Sequence, residues 1–460
     1  MEKLQHIVII GGGFAGLNLA KELDKNKFRV TILDKNNFHS FPPLFYQIAS
    51  SGLEPSSISF PFRREMRRLK NTNYHFGEVL EIDSKNSTVR TQFETIKYDQ
   101  LVVASGTTNN FFNQPELKEK VHTLKSTAEA IRLRNEILDR LERACITTDR
   151  ERRRQLLSFV VVGGGPSGVE VAGALGEMKR YILNKEYPEI DIDDVRVILI
   201  EGTDRFLRTM SERASHDAKV YLGHLMIETR LNCMMKSYEN NVLHLSTGEE
   251  IYCETLIWTA GITGNKINGI SDDSITRGNR YIVGSNCKIN GYDNIYALGD
   301  IAYLEDESHP NGYPQVAQVA IQQAKHLAKQ LNTGADTAFK YVDKGSMATI
   351  GRNRAVCDLK FAYLYGRPAW ATWMFIHLIS ILGMRNKVNV LINWVWAYLF
   401  YTTSLRLLIR PVKYPIRKHW IDESIYEYQI QLIRHPPILI YAFCGGGILR
   451  DSRIRSQTIQ

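Results

Sequence analysis

Ile7-Val8-Ile9-Ile10-Gly11-Gly12-Gly13-Phe14-Ala15-Gly16 decides how the rest of the chain is read. Four β-branched residues run directly into Gly-x-Gly-x-x-Gly, and Leu17-Asn18-Leu19-Ala20-Lys21-Glu22-Leu23 beyond it suits a helix. In such a strand–turn–helix unit the first glycine permits the tight turn. The second lets backbone approach a pyrophosphate, the third lets helix and strand pack closely, and the helix N-terminus faces the phosphates. Phe28-Arg29-Val30-Thr31-Ile32-Leu33-Asp34 reads as the next strand, with Asp34 where a carboxylate accepts hydrogen bonds from a ribose.

One such motif is a weak signal, but the chain repeats it. Phe159-Val160-Val161-Val162 leads into Gly163-Gly164-Gly165-Pro166-Ser167-Gly168, a helix is expected to about Asn184, and residues 195–200 form a strand ending at Glu201. An acid at that position repels a 2′-phosphate, which favours NADH over NADPH. Two nucleotides in one chain suit an enzyme that passes electrons between cofactors. Further apolar strands end in small-residue turns at Ala104-Ser105-Gly106, Ala260-Gly261 and Gly299-Asp300. A helix is expected over residues 315–331, capped by Gly334.

A chain of 460 residues has room for two or three domains. The formal net charge of +9 fits a nucleic acid or an anionic membrane surface, and its distribution chooses between them. From Arg385 onward basic and apolar residues mix, with Trp394, Trp396, Tyr398 and Tyr401 interleaved, while no nucleic-acid recognition motif is visible. A lipid bilayer surface is the expected partner, and no nucleic acid. Residues 370–382 are too few to span a bilayer. Residues 388–409 are nearly long enough but carry Asn389, Asn393, Thr402, Thr403, Ser404 and Arg406. Apolar positions 388, 391, 392, 395 and 399 recur at helical spacing, an amphipathic interfacial pattern. Arg410, Lys413, Arg417 and Lys418 follow as headgroup anchors, and the stretch 436–449, with Gly445-Gly446-Gly447, has no interpretable motif. The six cysteines, 145, 233, 253, 287, 357 and 444, are scattered. With no Cys-x-x-Cys and no zinc spacing they imply no metal site and a reducing compartment. No signal peptide is expected ahead of the first strand.

The paired fingerprints and the Gly299-Asp300 strand end resemble the two-dinucleotide-binding flavoprotein oxidoreductases. Within that superfamily four stretches resemble the type II NADH:quinone oxidoreductases, the single-subunit, non-pumping respiratory dehydrogenases. They are Phe41-Pro42-Pro43-Leu44-Phe45-Tyr46-Gln47-Ile48-Ala49, residues 163–175 with Glu170, Pro314-Gln315-Val316-Ala317-Gln318-Val319-Ala320-Ile321-Gln322-Gln323, and Arg385-Asn386-Lys387. The resemblance covers residues 3–410. It implies an α/β fold with two Rossmann-like domains, the NADH domain inserted in the FAD domain, plus a C-terminal amphipathic membrane-binding helical region. The expected boundaries are 1–115 and 289–368 for FAD, 116–288 for NADH, and 369–460 for the membrane-associated region.

The resemblance further implies FAD at the first fingerprint, NADH at the second, and a membrane quinone as acceptor. The expected cofactor-binding residues are Gly11, Gly13, Phe14, Ala15, Gly16, Asp34, Lys35, Pro43, Leu44, Val79, Ala104, Gly106, Gly163, Gly165, Pro166, Ser167, Gly168, Glu201, Ala260, Gly261, Asp300 and Ala317. The expected catalytic residues are Glu170, Gln318, Gln322 and Lys387. Gln318 and Gln322, four apart on one helix face, would offer amides to the quinone carbonyls, the alternative being a solvated polar face. Glu170 would position substrate or deliver a proton, or simply suit the positive helix end. Lys387 would be a quinone-site cation or a snorkelling lysine. Cys357 reads as a small buried hydrophobe rather than a redox thiol. The expected placement is peripheral, on the cytoplasmic face of the inner membrane, and a homodimer is compatible with it. The alternative functions are a sulfide:quinone or ferredoxin-type flavin reductase, or a non-catalytic nucleotide-binding regulator.

Overall fold

The computed structural model describes residues 4–400 and 407–409. Tyr401, Thr402, Thr403, Ser404, Arg406, Arg410, Lys413, Arg417, Lys418 and the stretch 436–449, about which the sequence raised expectations, lie outside the described residues.

Two parallel sheets organise the chain. The first runs in the order Ile295–Ala297, Gln100–Val103, Gln5–Ile10, Phe28–Asp34, Thr72–Phe76. The second runs Glu228–Arg230, Arg196–Ile200, Ser158–Val162, Thr255–Trp258. Helices cover one face of each sheet and an antiparallel meander packs on the other, and strands covered on both faces must be apolar throughout. Accordingly Ile7, Val8, Ile9, Phe159, Val160 and Val161 are all fully buried. The first strand of each fingerprint is central in its sheet. Ile7 pairs with Val30 on one side and Gln100 on the other, and Phe159 pairs with Val197 and Thr255.

The edge strand Ile295–Ala297 joins the first sheet only after the whole second sheet has been built. The NADH-type unit is thus inserted in the FAD-type unit. Each unit also carries a three-stranded antiparallel meander before its last expected strand end. These are Val79–Asp83, Thr88–Thr91, Thr95–Lys97 and Met235–Glu239, Val242–Leu245, Glu250–Tyr252. Both meanders shift register near the start of their first strand, at Val79/Glu81 and Met235/Ser237. The two halves therefore repeat beyond the fingerprints themselves. An antiparallel ribbon of Thr107–Asn109 and Ile262–Gly264 links them.

The expected helix over 315–331 is Ala317–Thr333, closed by Gly334 in the left-handed conformation at φ 74°. It packs on Phe14–Glu22, the fingerprint helix. The other fingerprint helix, Pro166–Met178, continues through a wider turn at Lys179–Leu183 to Asn184–Glu186, close to the expected end.

Ser346–Thr349, Ala355–Leu359 and Ala362–Tyr365 form a separate antiparallel sheet. It leads into two helices, Gly366–Ser380 and Met384–Phe400. The second helix has two apolar faces. Asn386, Val390 and Trp394 are buried. Val388, Leu391, Ile392, Val395 and Leu399, the positions picked out by spacing, are all exposed at 43–63%. None of the described helices is long and apolar enough to cross a membrane.

Candidate active site

The two glycine turns have the same construction. Gly11 and Gly163 have φ of 98° and 110°, where a side chain is strained, and a Cβ on either would collide with the strand-end turn at Ala104 or Ala260. Gly13 and Gly165 differ: their φ is −71°, ordinary for any residue, and a Cβ there would meet no protein atom within 4 Å. These two positions border open space in front of a helix N-terminus, as the pyrophosphate of a dinucleotide requires. Gly16 and Gly168 lie against the Gly11 and Gly163 carbonyls.

The strand-end acids belong to the same design, in a way the motif alone did not reveal. Asp34 accepts from the Gly12 N–H at 2.8 Å, and Glu201 accepts from the Gly164 N–H at 2.6 Å. The Asn36 and Thr203 N–H groups bind the other carboxylate oxygens. Each acid thus sets its turn and keeps acceptor capacity, since a carboxylate offers about four lone-pair sites. Burial pushes the Asp34 carboxyl up, against the N–H groups of Asn36 and Gly12 and the Lys35 charge. Gly12 and Gly164, each with an aromatic ring beside it (Phe62 and Phe206), were missed from sequence. Their role depends on an acid more than twenty residues away.

The remaining expected cofactor positions lie in helix starts, strand-end turns and loops. Phe14 and Ala15 open the first fingerprint helix, and Pro166 and Ser167 the second. Lys35 is exposed beside Asp34, Pro43 and Leu44 make one turn of 3-10 helix, and Val79 opens the first meander. Gly106 has φ 68° and an open Cβ position. Gly261 packs against Phe112. Asp300 follows Gly299, whose N–H donates to Gln323 Oε1 at 2.7 Å, and its own carbonyl accepts from Gln315 Nε2. The turn thereby sits at the start of Ala317–Thr333, whose first N–H groups, at Ala317 and Gln318, have no intrahelical partner. Gln315 and Gln323 are a further pair that motif spacing did not single out.

Glu170 lies at the convergence of three parts. It projects from the second fingerprint helix, is 8% exposed, and has the Thr349 backbone and Trp373 beside its carboxyl. Burial pushes its pKa up to about 8, and those two neighbours offset only part of the shift. The Trp373 indole N–H makes no bond of regular geometry. Tyr46, from the Phe45–Ala49 helix, feels the Glu170 charge and has its own pKa raised by burial. Its ring lies 6.3 Å from Trp373. Trp373 stacks on His377 at 4.0 Å, and burial holds that imidazole down at about 4 and neutral. His377 meets Phe41, and Phe41 meets Phe14 at 5.8 Å. An aromatic run thus joins the first fingerprint to the C-terminal helices. Trp394 Nε1 donates to Gln47 at 2.8 Å, and Asn386 Nδ2 to the Ser59 carbonyl, which locks the second of those helices on the same region.

Three expected catalytic side chains bind backbone of neighbouring segments. Gln318 donates to Gly345 O and Asp343 and accepts from the Lys344 N–H. Gln322 both donates to and accepts from the Val342 backbone, at 2.9 and 3.0 Å. Their amides hold the approach to the C-terminal sheet. Lys387 Nζ caps the Ile379 carbonyl of the preceding helix. Cys357 is fully buried, with its thiol pushed up to about 11 by burial and Asp358.

The pyridine nucleotide-disulphide oxidoreductase family model matches residues 5–324, and the NDH2 C-terminal domain model matches 344–401. The type II NADH:quinone oxidoreductase Ndh of Mycobacterium tuberculosis is 33% identical over 85% of this chain and 88% of its own length. The chain belongs to the type II NADH:quinone oxidoreductases. A second relative from the same organism, NdhA, is 34% identical over 84% of this chain and 86% of its own. In fold, the chain matches the solved structure of NDH2 from Plasmodium falciparum in complex with NADH, with a TM-score of 0.81. That match has 20% identity and covers 89% of this chain and 100% of the other.

Proposed function

We infer that the chain is a working member of this family: an FAD-dependent NADH:quinone oxidoreductase that does not pump protons. The observation that carries the reading is Glu170. The helix that opens the second nucleotide cradle also presents a buried, protonated acid to the first domain and to the C-terminal helices. Both cradles fit their nucleotides, FAD at Gly13 and Asp34, NADH at Gly165 and Glu201. Bound FAD supplies the two-electron chemistry. The residues of this chain orient the partners and handle the proton. NADH brings two electrons and one proton as hydride, so reducing a quinone to its quinol takes one further proton. The Glu170 carboxyl holds such a proton at neutral pH in surroundings that exclude water. Gln318, Gln322 and Lys387 act by fixing the C-terminal sheet and helices around this point.

The exposed apolar face of Met384–Phe400, with Phe375 and Ile379 from the preceding helix, serves as a peripheral attachment to the lipid bilayer, where the quinone resides. Because NADH is a cytoplasmic donor, that surface is the cytoplasmic face of the membrane. The domain limits proposed are about 115, 288 and 368, with the small sheet packing on the second fingerprint helix and leading into the C-terminal helices. A homodimer stays an expectation of the sequence, decided by sedimentation of the solubilised protein.

The twin cradles provide the test. A side chain at Gly13 or Gly165 displaces no protein atom but fills the pyrophosphate space. Gly13→Val is expected to fold without flavin and be colourless. Gly165→Val is expected to be yellow, with its flavin no longer reduced by NADH. Retention of stoichiometric FAD by Gly13→Val, or normal NADH reduction of Gly165→Val, rejects the assignment.

A further inference from the structure

The first sheet's cofactor cleft contains a charge contributed by the inserted unit. Lys125 precedes Ser126, the N-cap of helix Thr127–Ile146, whose hydroxyl accepts from the Glu129 N–H. The Glu129 carboxylate in turn accepts from the Lys125 N–H at 2.6 Å, a capping-box variant that reaches one residue before the N-cap. Three residues earlier, His122 exchanges backbone hydrogen bonds with Leu256 and Trp258 of the second sheet. The Lys125 backbone is therefore anchored on both sides, and its side chain turns away from the inserted unit. Lys125 Nζ donates to Thr107 Oγ1 at 3.1 Å, and the Thr107 hydroxyl donates to Asp300 Oδ2 at 3.5 Å.

Ammonium and carboxylate are thus bridged by a hydroxyl instead of meeting directly. Among the described residues, Thr107 is the one hydrogen-bond acceptor of the ammonium, which leaves it further donors. Lys125 reaches solvent at the cleft mouth, yet enough protein surrounds it to lower its pKa, with the Asp300 and Glu129 charges opposing the shift. Asp300 is raised by burial and drawn back by Lys125, Arg280 and Thr107. Arg280 Nη2 donates to the Ala302 and Tyr313 carbonyls, whereas Lys125 Nζ is the cation hydrogen-bonded into the Thr107–Asp300 pair. The same turn adjoins the start of Ala317–Thr333, a helix of five turns' length whose N-terminal end carries partial positive charge.

We propose that Lys125 is a flavin-positioning residue: through Thr107 it fixes Asp300 for the ribityl hydroxyls, and its charge, added to the helix N-terminus, favours the reduced, anionic form of the bound flavin. The proposal rests on the assignment of FAD to this cleft. It gives the inserted unit a direct influence over a cofactor otherwise held by the outer one. A cation near the flavin is a recognised lever on its electronics.

The test compares Lys125→Met and Lys125→Arg with the wild-type holoenzyme. FAD content is measured after gel filtration, and the midpoint potential by anaerobic equilibration with a reference dye. The capping box uses only the Lys125 backbone, so both variants are expected to melt as the wild type does. Lys125→Met is expected to shift the oxidised–reduced equilibrium about tenfold toward oxidised flavin, ~30 mV for a two-electron couple. It should also lose FAD more readily on dilution. Lys125→Arg is expected to stay close to wild type in both. A Lys125→Met protein with wild-type potential and FAD retention overturns the proposal, as do equal shifts in the Met and Arg variants, which would reflect packing and not charge. A wild-type protein without FAD overturns the cleft assignment instead.

Discussion

Glu170 titrates in a range where an enzyme at neutral pH can use it, and the direction of its shift can be tested. Its folded pKa of about 8 lies above the ordinary 4.5, so the folded chain holds the proton more tightly than the unfolded one. The stability this contributes is complete below the ordinary value and is lost as pH rises toward 8, by about 1.4 kcal/mol per unit. Glu170→Gln, with no charge to bury, is expected to gain in Tm over the wild type between about pH 5 and pH 8. The kinetic expectation is independent of this. Reoxidation of the flavin by quinone in Glu170→Gln should slow by about 10² and lose the wild-type decline above pH ~8, while flavin reduction by NADH is spared. An unaltered pH profile would remove Glu170 from proton handling. Glu201 offers a second residue-scale test. Glu201→Gln is expected to narrow the preference for NADH over NADPH roughly tenfold, by removing ~1–3 kcal/mol of charge effect. It should also raise the NADH KM, because an amide cannot accept both the Gly164 and Thr203 N–H bonds. A cofactor ratio equal to wild type would assign the selectivity elsewhere. Gly11, Gly13 and Gly16, their counterparts Gly163, Gly165 and Gly168, and both acids were legible because one short motif carries them, whereas Gly12 and Gly164 were not. Lys125, Thr107 and Tyr46 were not, since their importance comes from side chains that only the folded chain brings near.

The second C-terminal helix shows what periodicity can reveal about an element and what it leaves open. Spacing identified 388, 391, 392, 395 and 399 as one apolar face, and all five are exposed in the fold. Asn386, Val390 and Trp394 repeat every fourth residue on the opposite, buried side. An asparagine in that row gives no apolar signal, and its reason is the Ser59 carbonyl it bonds. The same limit applied to Gln318 and Gln322. Helical spacing put them on one face, but the backbone of 342–345 that occupies their amides is remote in sequence. The two faces of Met384–Phe400 should respond differently. Ile392→Glu with Leu399→Glu is expected to move the protein into the soluble fraction with FAD retained and with long-chain quinone turnover reduced. Trp394→Ala is expected to cost ~3 kcal/mol of stability instead, as a buried Trp lost from a packed core. A doubly charged variant that still pellets with membranes and turns over native quinone normally would exclude this face from attachment.

The described residues make two copies of one nucleotide-binding design, one inserted in the other, with a C-terminal pair of helices packed against them. The duplication was visible in sequence because each copy begins with the same glycine turn. The insertion was implied by the late Gly299-Asp300 strand, and the fold places Ile295–Ala297 beside Gln100–Val103 accordingly. Less visible was the small sheet at 346–365, whose short strands carry no motif and which groups with the C-terminal helices. The arrangement makes a single claim about electron flow: from the second cradle to the first, then to a quinone at the C-terminal side. The most direct measurement follows the flavin absorbance of the purified holoenzyme under anaerobic conditions, with NADH added first and a quinone second. Full bleaching by stoichiometric NADH and full recovery with the quinone are expected, with one quinone consumed per NADH. Flavin that NADH leaves oxidised, or that stays bleached when the quinone arrives, would contradict it.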